Sequence, residues 1–245
     1  MNAARLAFRF RVLIFLTLYL LGFVSPWERA LTGGVNGTLW LTASTLLART
    51  GWIGLASATL LVTVAALACL LLGAILRIWG TAYLGAAVMQ GGEMHGQRVT
   101  ATGPYRYVRN PLYLGSYLLA LGVSILMPLT GAVFFIAATG IFILFLISTE
   151  ERFLASQLGD AYRIYCRQVP RLLPKFRSID AGAVGAPHWL AAVLVEFYPI
   201  AITTCFAIFA WRYNAHILVR CVLICYGLSL VMRALAKPAT ASTGA

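Results

Sequence analysis

The chain has 245 residues, of which 61% are hydrophobic and 11% are charged, and its mean hydropathy is +0.85. Soluble domains carry about 25% charged residues, so this chain has too few polar side chains to cover a water-facing surface. We therefore expect an integral membrane protein. The net charge of +12 does not indicate nucleic-acid binding, because no basic run is interleaved with aromatic residues.

Hydropathy predicts a single all-α membrane domain with about six spans. The first half holds spans at about 12–24 and 52–76, the first of which lacks a cleavage pattern and is expected to stay attached. A short apolar stretch between them, 39–47, cannot cross the bilayer. The remaining predicted spans cover about 111–127, the stretch from Pro128 to about 148, then 188–211 and 216–235.

The third and fourth spans are joined by a tight turn and are expected to form an antiparallel hairpin, flanked by two polar segments. The first polar segment, about 90–110, leads into Pro111, which suits the first turn of a helix because its missing N–H costs nothing there. The second begins at Glu150 as an amphipathic helix. We divide the domain into N-terminal spans (1–89), a core (90–177), two further spans (178–237) and a disordered tail (238–245).

The basic residues predict the orientation of these spans. With six spans both termini lie on one side, and that side would hold fifteen of the nineteen lysines and arginines. Because cytoplasmic loops are enriched in Lys and Arg, we expect both termini and both polar segments in the cytoplasm, in a multi-pass inner-membrane protein. The five cysteines contain no C-x-x-C pair, so neither a disulfide framework nor a metal site is predicted.

The hairpin is expected to bring opposite charges together. Arg109 precedes the outgoing helix and Glu150 follows the returning one, so the two lie at the same membrane depth. Guanidinium, amide, phenol and carboxylate groups then meet at one place. Such a set can bind a zwitterion, because Arg or Asn binds a carboxylate and Glu binds an ammonium.

Segment 103–115 reads Gly-Pro-Tyr-Arg-Tyr-Val-Arg-Asn-Pro-Leu-Tyr-Leu-Gly. It resembles the signature of the isoprenylcysteine carboxyl methyltransferase and phospholipid N-methyltransferase superfamily, G-x-Y followed by R-H-P-x-Y-x-G. A second motif of that superfamily is similar to Glu150 and Glu151 with the residues that follow them to Pro174, and its upstream segment is similar to Leu76, Arg77 and Trp79. The resemblance covers about 76–174.

The resemblance implies an S-adenosylmethionine-dependent enzyme that methylates a lipid or lipidated acceptor at the cytoplasmic membrane face. It implies catalytic roles for Arg109, Glu150 and Glu151, and contact between the backbone of 99–103 and the adenine. Asn110 stands where the family has His; Asn can donate a hydrogen bond but cannot titrate. The cofactor site carried over by position consists of Gly103, Tyr105, Arg109, Asn110, Pro111, Tyr113, Gly115, Glu150 and Glu151.

Glu196 lies within the predicted fifth span, where a carboxylate is expensive and usually functional. We expect it to pair with an arginine of the cytoplasmic side or to face the substrate cavity, and we predict Arg77 and Glu196 as substrate-binding residues. The acceptor is left open at this point. A carboxylate acceptor needs no base, whereas an amine must lose a proton, which a nearby Glu can take.

Two alternatives remain open. A sterol or lipid double-bond reductase using NADPH has terminal segments that resemble this family, although the acidic pair Glu150 and Glu151 argues against a phosphorylated dinucleotide. A non-catalytic membrane protein that keeps the fold is the other alternative, and Asn110 would then mark a site that has lost its activity.

Overall fold

The computed structural model describes residues 3–32, 37–84, 101–175, 186–212 and 214–235, and within them the only non-helical pairing is an isolated bridge between Thr38 and Pro128. A 3-10 turn spans Gly103–Arg106. The helices are α1 (Ala3–Arg9), α2 (Arg11–Val24), α3 (Glu28–Thr32), α4 (Leu39–Arg49), α5 (Leu55–Leu84), α6 (Pro111–Ser124), α7 (Leu129–Gln168), α8 (Trp189–Val195), α9 (Phe197–Arg212) and α10 (Ala215–Leu235).

Two helices of the described chain, α5 and α7, are long and apolar enough to cross a membrane. The pair α8 and α9 makes a third candidate if the two are counted as one bent span, while α2 and α6 are apolar but shorter. The predicted all-α architecture is therefore confirmed for the described residues, with two or three candidate spans. The number six stays a prediction.

Helix α5 is longer than the sequence predicts. The second span was expected to end at Arg77, but the helix continues to Leu84. Arginine is a good helix former, so it can end an apolar span without ending the helix, and Glu196 lies beside Arg77 with a contact of 2.7 Å. The charge therefore sits inside the helix bundle.

Helix α7 unites the predicted fourth span with the predicted amphipathic helix. Its 40 residues run from Leu129 to Gln168 and are interrupted by non-helical backbone at Gly159, where φ is +56°. This left-handed conformation costs glycine little. Glu150 and Glu151 therefore lie on the same rod as the apolar span, before the kink.

Helices α5 and α6 pack closely through glycines. A Cβ added at Gly73 would lie 2.7 Å from the carbonyl oxygen of Gly115, and one added at Gly115 would lie 2.8 Å from Arg77 Cγ. Ala120 and Ser124, from the small-residue face of α6, are also buried. Such faces let helices approach in membranes, and here they bring Arg77 against the start of α6.

The chain bends by 63° between α8 and α9. Pro199 lies in the first turn of α9 and has no N–H to donate to the carbonyl four residues earlier, so the helix cannot run straight through this point. Glu196 occupies the break and is 1% exposed. The bend therefore presents a carboxylate to α5.

Candidate active site

The first motif is held in place by backbone contacts with the segment that follows α7. The amide of Arg109 donates to the carbonyl of Pro170 at 2.9 Å, and the amide of Lys175 donates to the carbonyl of Tyr107 at 3.1 Å. The hydroxyl of Tyr165 donates to the carbonyl of Tyr105 at 2.8 Å. Segments far apart in sequence thus form one layer at the end of the hairpin.

Gly103 opens the 3-10 turn with a φ of +55°, and a Cβ there would collide with the ring of Tyr83. Glycine is therefore required both for the backbone conformation and for the contact. Pro111 occupies the first position of α6 as predicted. The turn and the helix start place Arg109 and Asn110 opposite α7.

Glu151 is the centre of the charged group that we call the glutamate cluster: Arg109, Asn110, Glu151 and Arg171. Arg171 donates to Glu151 Oε2 from Nε at 2.9 Å and from Nη2 at 2.5 Å. The hydrogen bond from Arg171 to Glu151 also raises the pKa of the arginine. Arg109 Nε lies farther away, 3.4 Å from Glu151 Oε1.

Asn110 links the two motifs in place of the family His. Its side-chain amide donates to Glu151 Oε1 at 3.2 Å and to the carbonyl of Arg171 at 3.1 Å. It makes no capping bond to the backbone of α6. The residue therefore serves as a donor to the carboxylate, which is a role that does not require titration.

Glu150 faces a different partner from its neighbour Glu151. Tyr113, on the first turn of α6, donates to Glu150 Oε2 at 2.9 Å. Successive residues of a helix point about 100° apart, and here the two acids face different partners. One carboxylate of the predicted pair is therefore held by arginine and asparagine, and the other by a phenol.

Two of the buried polar atoms without a hydrogen-bond partner among the described residues are Nε of Arg109, in the glutamate cluster, and the hydroxyl of Tyr105, which lies beside Gly80 of α5. Burial raises the pKa of Tyr105 well above its ordinary value, so the hydroxyl stays protonated and can donate. Buried polar groups are normally paired. The open donors at this site therefore fit a polar ligand.

Arg77 and Glu196 form a second charged group, with Thr81 and Ser116. Arg77 Nε and Nη2 donate to the two carboxylate oxygens of Glu196 at 2.7 and 3.0 Å, and Thr81 donates to the same carboxylate at 2.8 Å. Arg77 Nη1 donates to Ser116 Oγ at 2.6 Å. The two residues predicted for substrate binding are thus brought together, and each binds the other.

A groove with a volume of about 570 Å³, which we call the arginine groove, opens along the C-terminal half of α7. It reaches Glu151 of the glutamate cluster and holds four arginines. Its lining residues are Ser148, Glu151, Arg152, Ala155, Tyr162, Arg163, Cys166, Arg167 and Arg171.

The structure places the predicted residues in three groups. Arg109, Asn110 and Glu151 meet in the glutamate cluster. Tyr113 contacts Glu150. The predicted glycines and proline shape the backbone: Gly103 packs against Tyr83, Pro111 begins α6, and Gly115 packs against Gly73 and Arg77. Of the segment predicted to meet the adenine, residues 99 and 100 lie outside the described residues.

Sequence reasoning missed Arg171, Ser116 and Thr81. Arg171 lies in the Val-Pro-Arg stretch that ends the second motif. Two acids, Glu150 and Glu151, face one predicted arginine, Arg109, and this excess of acid was a signal for a second arginine nearby. Ser116 and Thr81 gave no signal, because hydroxyls in apolar helices commonly bond their own backbone.

Residues 61–161 match the family model for phospholipid methyltransferase. This region is therefore similar to the phospholipid methyltransferase family. The match contains both polar motifs up to Ala161, including Arg77, Arg109, Glu150 and Glu151. The family resemblance drawn from the motifs is therefore confirmed.

Several curated relatives of this superfamily are similar to the chain over short stretches. Methanethiol S-methyltransferase of Mycobacterium tuberculosis is 44% identical over 70 residues, 29% of this chain and 28% of the relative. Methanethiol S-methyltransferase 2 of Bradyrhizobium diazoefficiens is 37% identical over 106 residues, 40% of each. Protein-S-isoprenylcysteine O-methyltransferase of Schizosaccharomyces pombe is 37% identical over 73 residues, 29% of this chain and 31% of the relative.

The matched stretches span well under half the length of these relatives. No solved structure is similar enough to the chain to count as a match. The family model and the relatives' names support a membrane methyltransferase.

Proposed function

We propose that the protein transfers the methyl group of S-adenosylmethionine to an acceptor held at the membrane. The observation that carries this proposal is the open donor of the glutamate cluster, Nε of Arg109, inside the region that matches the methyltransferase family. The superfamily relatives are named for methyl transfer, which supports the same reaction type.

The glutamate cluster suits the amino-acid end of this cofactor. The carboxylate and the ammonium of an amino acid share one carbon, so an arginine and a glutamate lying side by side can bind both. We assign the carboxylate to Arg109 and Asn110 and the ammonium to Glu151. Arg171 holds Glu151 more tightly than Arg109 does, so the contact between Arg109 and Glu151 is the one that opens.

The bound cofactor supplies a methyl group activated by its sulfonium. The protein then has to align the acceptor with that methyl group and keep water away, and alignment alone supplies a large part of the rate. Tyr105, with its protonated hydroxyl, donates to the cofactor. The backbone near 99–103 is assigned to the adenine, as the resemblance implies.

Glu150 is proposed to serve the acceptor. Tyr113 orients its carboxylate, and an amine or thiol acceptor must lose a proton that a positioned Glu can take. A carboxylate acceptor needs no base. The relatives' names cover a thiol and an isoprenylcysteine, so we propose a lipid, lipidated or other membrane-soluble acceptor. Arg77 and Glu196 neutralise each other's charge. We assign this ion pair, which has no net charge, to the side of the site that binds the acceptor.

We propose six spans with both termini and the glutamate cluster in the cytoplasm of an inner membrane. The support is the distribution of Lys and Arg along the chain, because a soluble cofactor has to reach the cluster from the cytoplasm. Reporter fusions after Arg177 should read inside and a fusion after Gly33 outside. The opposite result would remove the cofactor's access.

Cofactor identity tests the proposal against its two alternatives. Purified protein in detergent should be stabilised by S-adenosylmethionine or S-adenosylhomocysteine, by about 2.7 kcal/mol at a concentration 100 times the dissociation constant. Stabilisation by NADPH alone would favour the reductase. No stabilisation by any of the three would favour a non-catalytic protein. The relatives named as methyltransferases do not favour the reductase.

A further inference from the structure

The arginine groove carries more positive charge than the glutamate cluster uses. Four of its lining residues are arginines and one, Glu151, is acidic. Arg171 is paired with that acid. Among the described residues the acidic partner of Arg163 is Asp160, and both of these side chains are largely exposed, so water weakens their interaction.

Two of the arginines have no acidic partner in the part of the chain that the structure describes. Arg152 donates to the carbonyl of Ser148 at 3.0 Å, which leaves its charge uncompensated. Arg167 forms no ion pair with a described residue, and both side chains belong to exposed residues. The groove therefore attracts an anion.

The groove lies at the level of lipid headgroups. Helix α7 has no charged residue over the 21 residues from Leu129 to Thr149. At a rise of about 1.5 Å per residue this stretch measures roughly 30 Å, which is the thickness of the hydrocarbon core. Ser148 and Glu151, the first residues of the groove along the helix, therefore stand at the edge of that core.

We propose that the arginine groove binds the phosphate of an anionic phospholipid of the surrounding membrane. Orientation of the helices requires only that basic residues lie on one side, not that four arginines line one cavity. The volume of about 570 Å³ falls within the range of small-ligand sites. Ile164 and Leu173 expose apolar surface on the same segments as the arginines, which suits a lipid better than free phosphate.

The cofactor does not explain the groove. S-adenosylmethionine carries a net positive charge, because its sulfonium and ammonium outnumber its carboxylate, so uncompensated arginines repel it. The lipid proposal rests on membrane embedding and not on methyl transfer. A binding measurement therefore tests it independently of the proposed reaction.

The experiment compares two double variants of the full chain with equal charge change. Arg152→Gln with Arg167→Gln removes the two arginines without acidic partners, and Arg49→Gln with Arg212→Gln removes two exposed arginines elsewhere. Protein in neutral detergent is titrated with dioleoyl phosphatidylglycerol or phosphatidylcholine, and bound lipid is counted by native mass spectrometry. Affinity of the groove variant for phosphatidylglycerol should fall about 25-fold, since each basic residue near an anionic surface contributes roughly a factor of five.

Phosphatidylcholine binding should be equal in all three proteins, and the control variant should keep the phosphatidylglycerol affinity of the unmodified chain. The midpoint of thermal unfolding, measured in parallel, should be the same in the groove variant, which shows that the fold is intact. Equal loss in both double variants would overturn the proposal, because it would reflect net charge alone. Inorganic phosphate that competes as well as phosphatidylglycerol would overturn the lipid assignment.

Discussion

The Arg77–Glu196 group and the glutamate cluster both pair arginine with glutamate, and they differ in how completely the charges are paired. Glu196 is 1% exposed and accepts three hydrogen bonds of 2.7–3.0 Å from Arg77 and Thr81. In the glutamate cluster, Arg109 lies 3.4 Å from Glu151, and its Nε has no hydrogen bond among described residues. A complete pair joins helices, whereas an incomplete one leaves donors for a ligand.

The ion pair of Arg77 and Glu196, which we call the closed pair, connects parts of the chain that are far apart in sequence. Arg77 belongs to α5, Ser116 to α6, and Glu196 to the bend between α8 and α9. Burying a charge is costly unless it is paired and hydrogen-bonded. The pair therefore couples the position of the C-terminal helices to the core of the family region.

The largest effect is expected at the closed pair. Glu196→Gln leaves the partly buried Arg77 without a countercharge and should lower the free energy of unfolding by about 3–5 kcal/mol. Unfolding in mixed detergent micelles measures it. Asp160→Asn, which removes an exposed pair with Arg163, is the control and should cost less than about 1 kcal/mol. Similar losses in the two variants would show that the Arg77 pair is not closed.

Substitutions of Glu150 and Glu151 should affect different quantities, turnover for the first and cofactor affinity for the second. Glu150→Gln should lower turnover by about 10²–10⁴-fold with an amine or thiol acceptor, the range for general base catalysis, while the affinity for S-adenosylhomocysteine is unchanged. Glu151→Gln should instead weaken that affinity. Calorimetric titration and single-turnover assays give the two quantities. If Glu150→Gln weakened cofactor binding as much as Glu151→Gln, the division of roles would be wrong.

A smaller effect is expected at Arg109. Arg109→Ala should weaken cofactor binding by about 1.5–3 kcal/mol, the range for a hydrogen bond to a charged group. Arg109→Lys should restore little, because Lys offers a point charge and not a planar fork. Titration of folded protein with S-adenosylhomocysteine measures the change, and Arg49→Ala serves as the matched control. Unchanged affinity in Arg109→Ala would place this arginine outside the cofactor site.

The smallest effect is expected at Asn110. Asn110→His restores the family residue, and an imidazole N–H can donate to Glu151 as the amide does. Cofactor affinity should therefore change by less than about 1 kcal/mol, the typical net value of one hydrogen bond. Asn110→Ala, which removes the donor, is the comparison. A His variant as weak as the Ala variant would show that the amide has a role that imidazole cannot replace.

The meeting of arginine and glutamate at the end of the hairpin could be predicted because it depends on local patterns. Pro111 marks the start of α6, and the out-and-back hairpin places Arg109 beside Glu151. The partner of Glu196 was expected to be an arginine, but choosing Arg77, 119 positions away, requires knowing how α5 packs against the bend. The partner that each of Glu150 and Glu151 contacts depends on how α7 is rotated about its own axis, which the sequence alone does not specify.

The continuity of α7 also could not be predicted, because the change from apolar to polar residues at Glu150 indicates the end of a helix. Helix formation requires only backbone hydrogen bonding, and a helix passes from lipid to water without interruption. The break comes later, at Gly159, where glycine tolerates a left-handed backbone. Polarity thus predicts where the membrane ends and not where the helix ends.

The unbroken rod of α7 from Leu129 to the acids has a consequence for the bilayer around it. Spanning helices adjust to bilayer thickness by tilting. Glu150 and Glu151 move with the tilt of α7, while Arg109 and Tyr113 move with the start of α6. The distance between the acids and their partners therefore depends on membrane thickness, and membranes of different acyl-chain length should tune cofactor affinity through the geometry of a single helix.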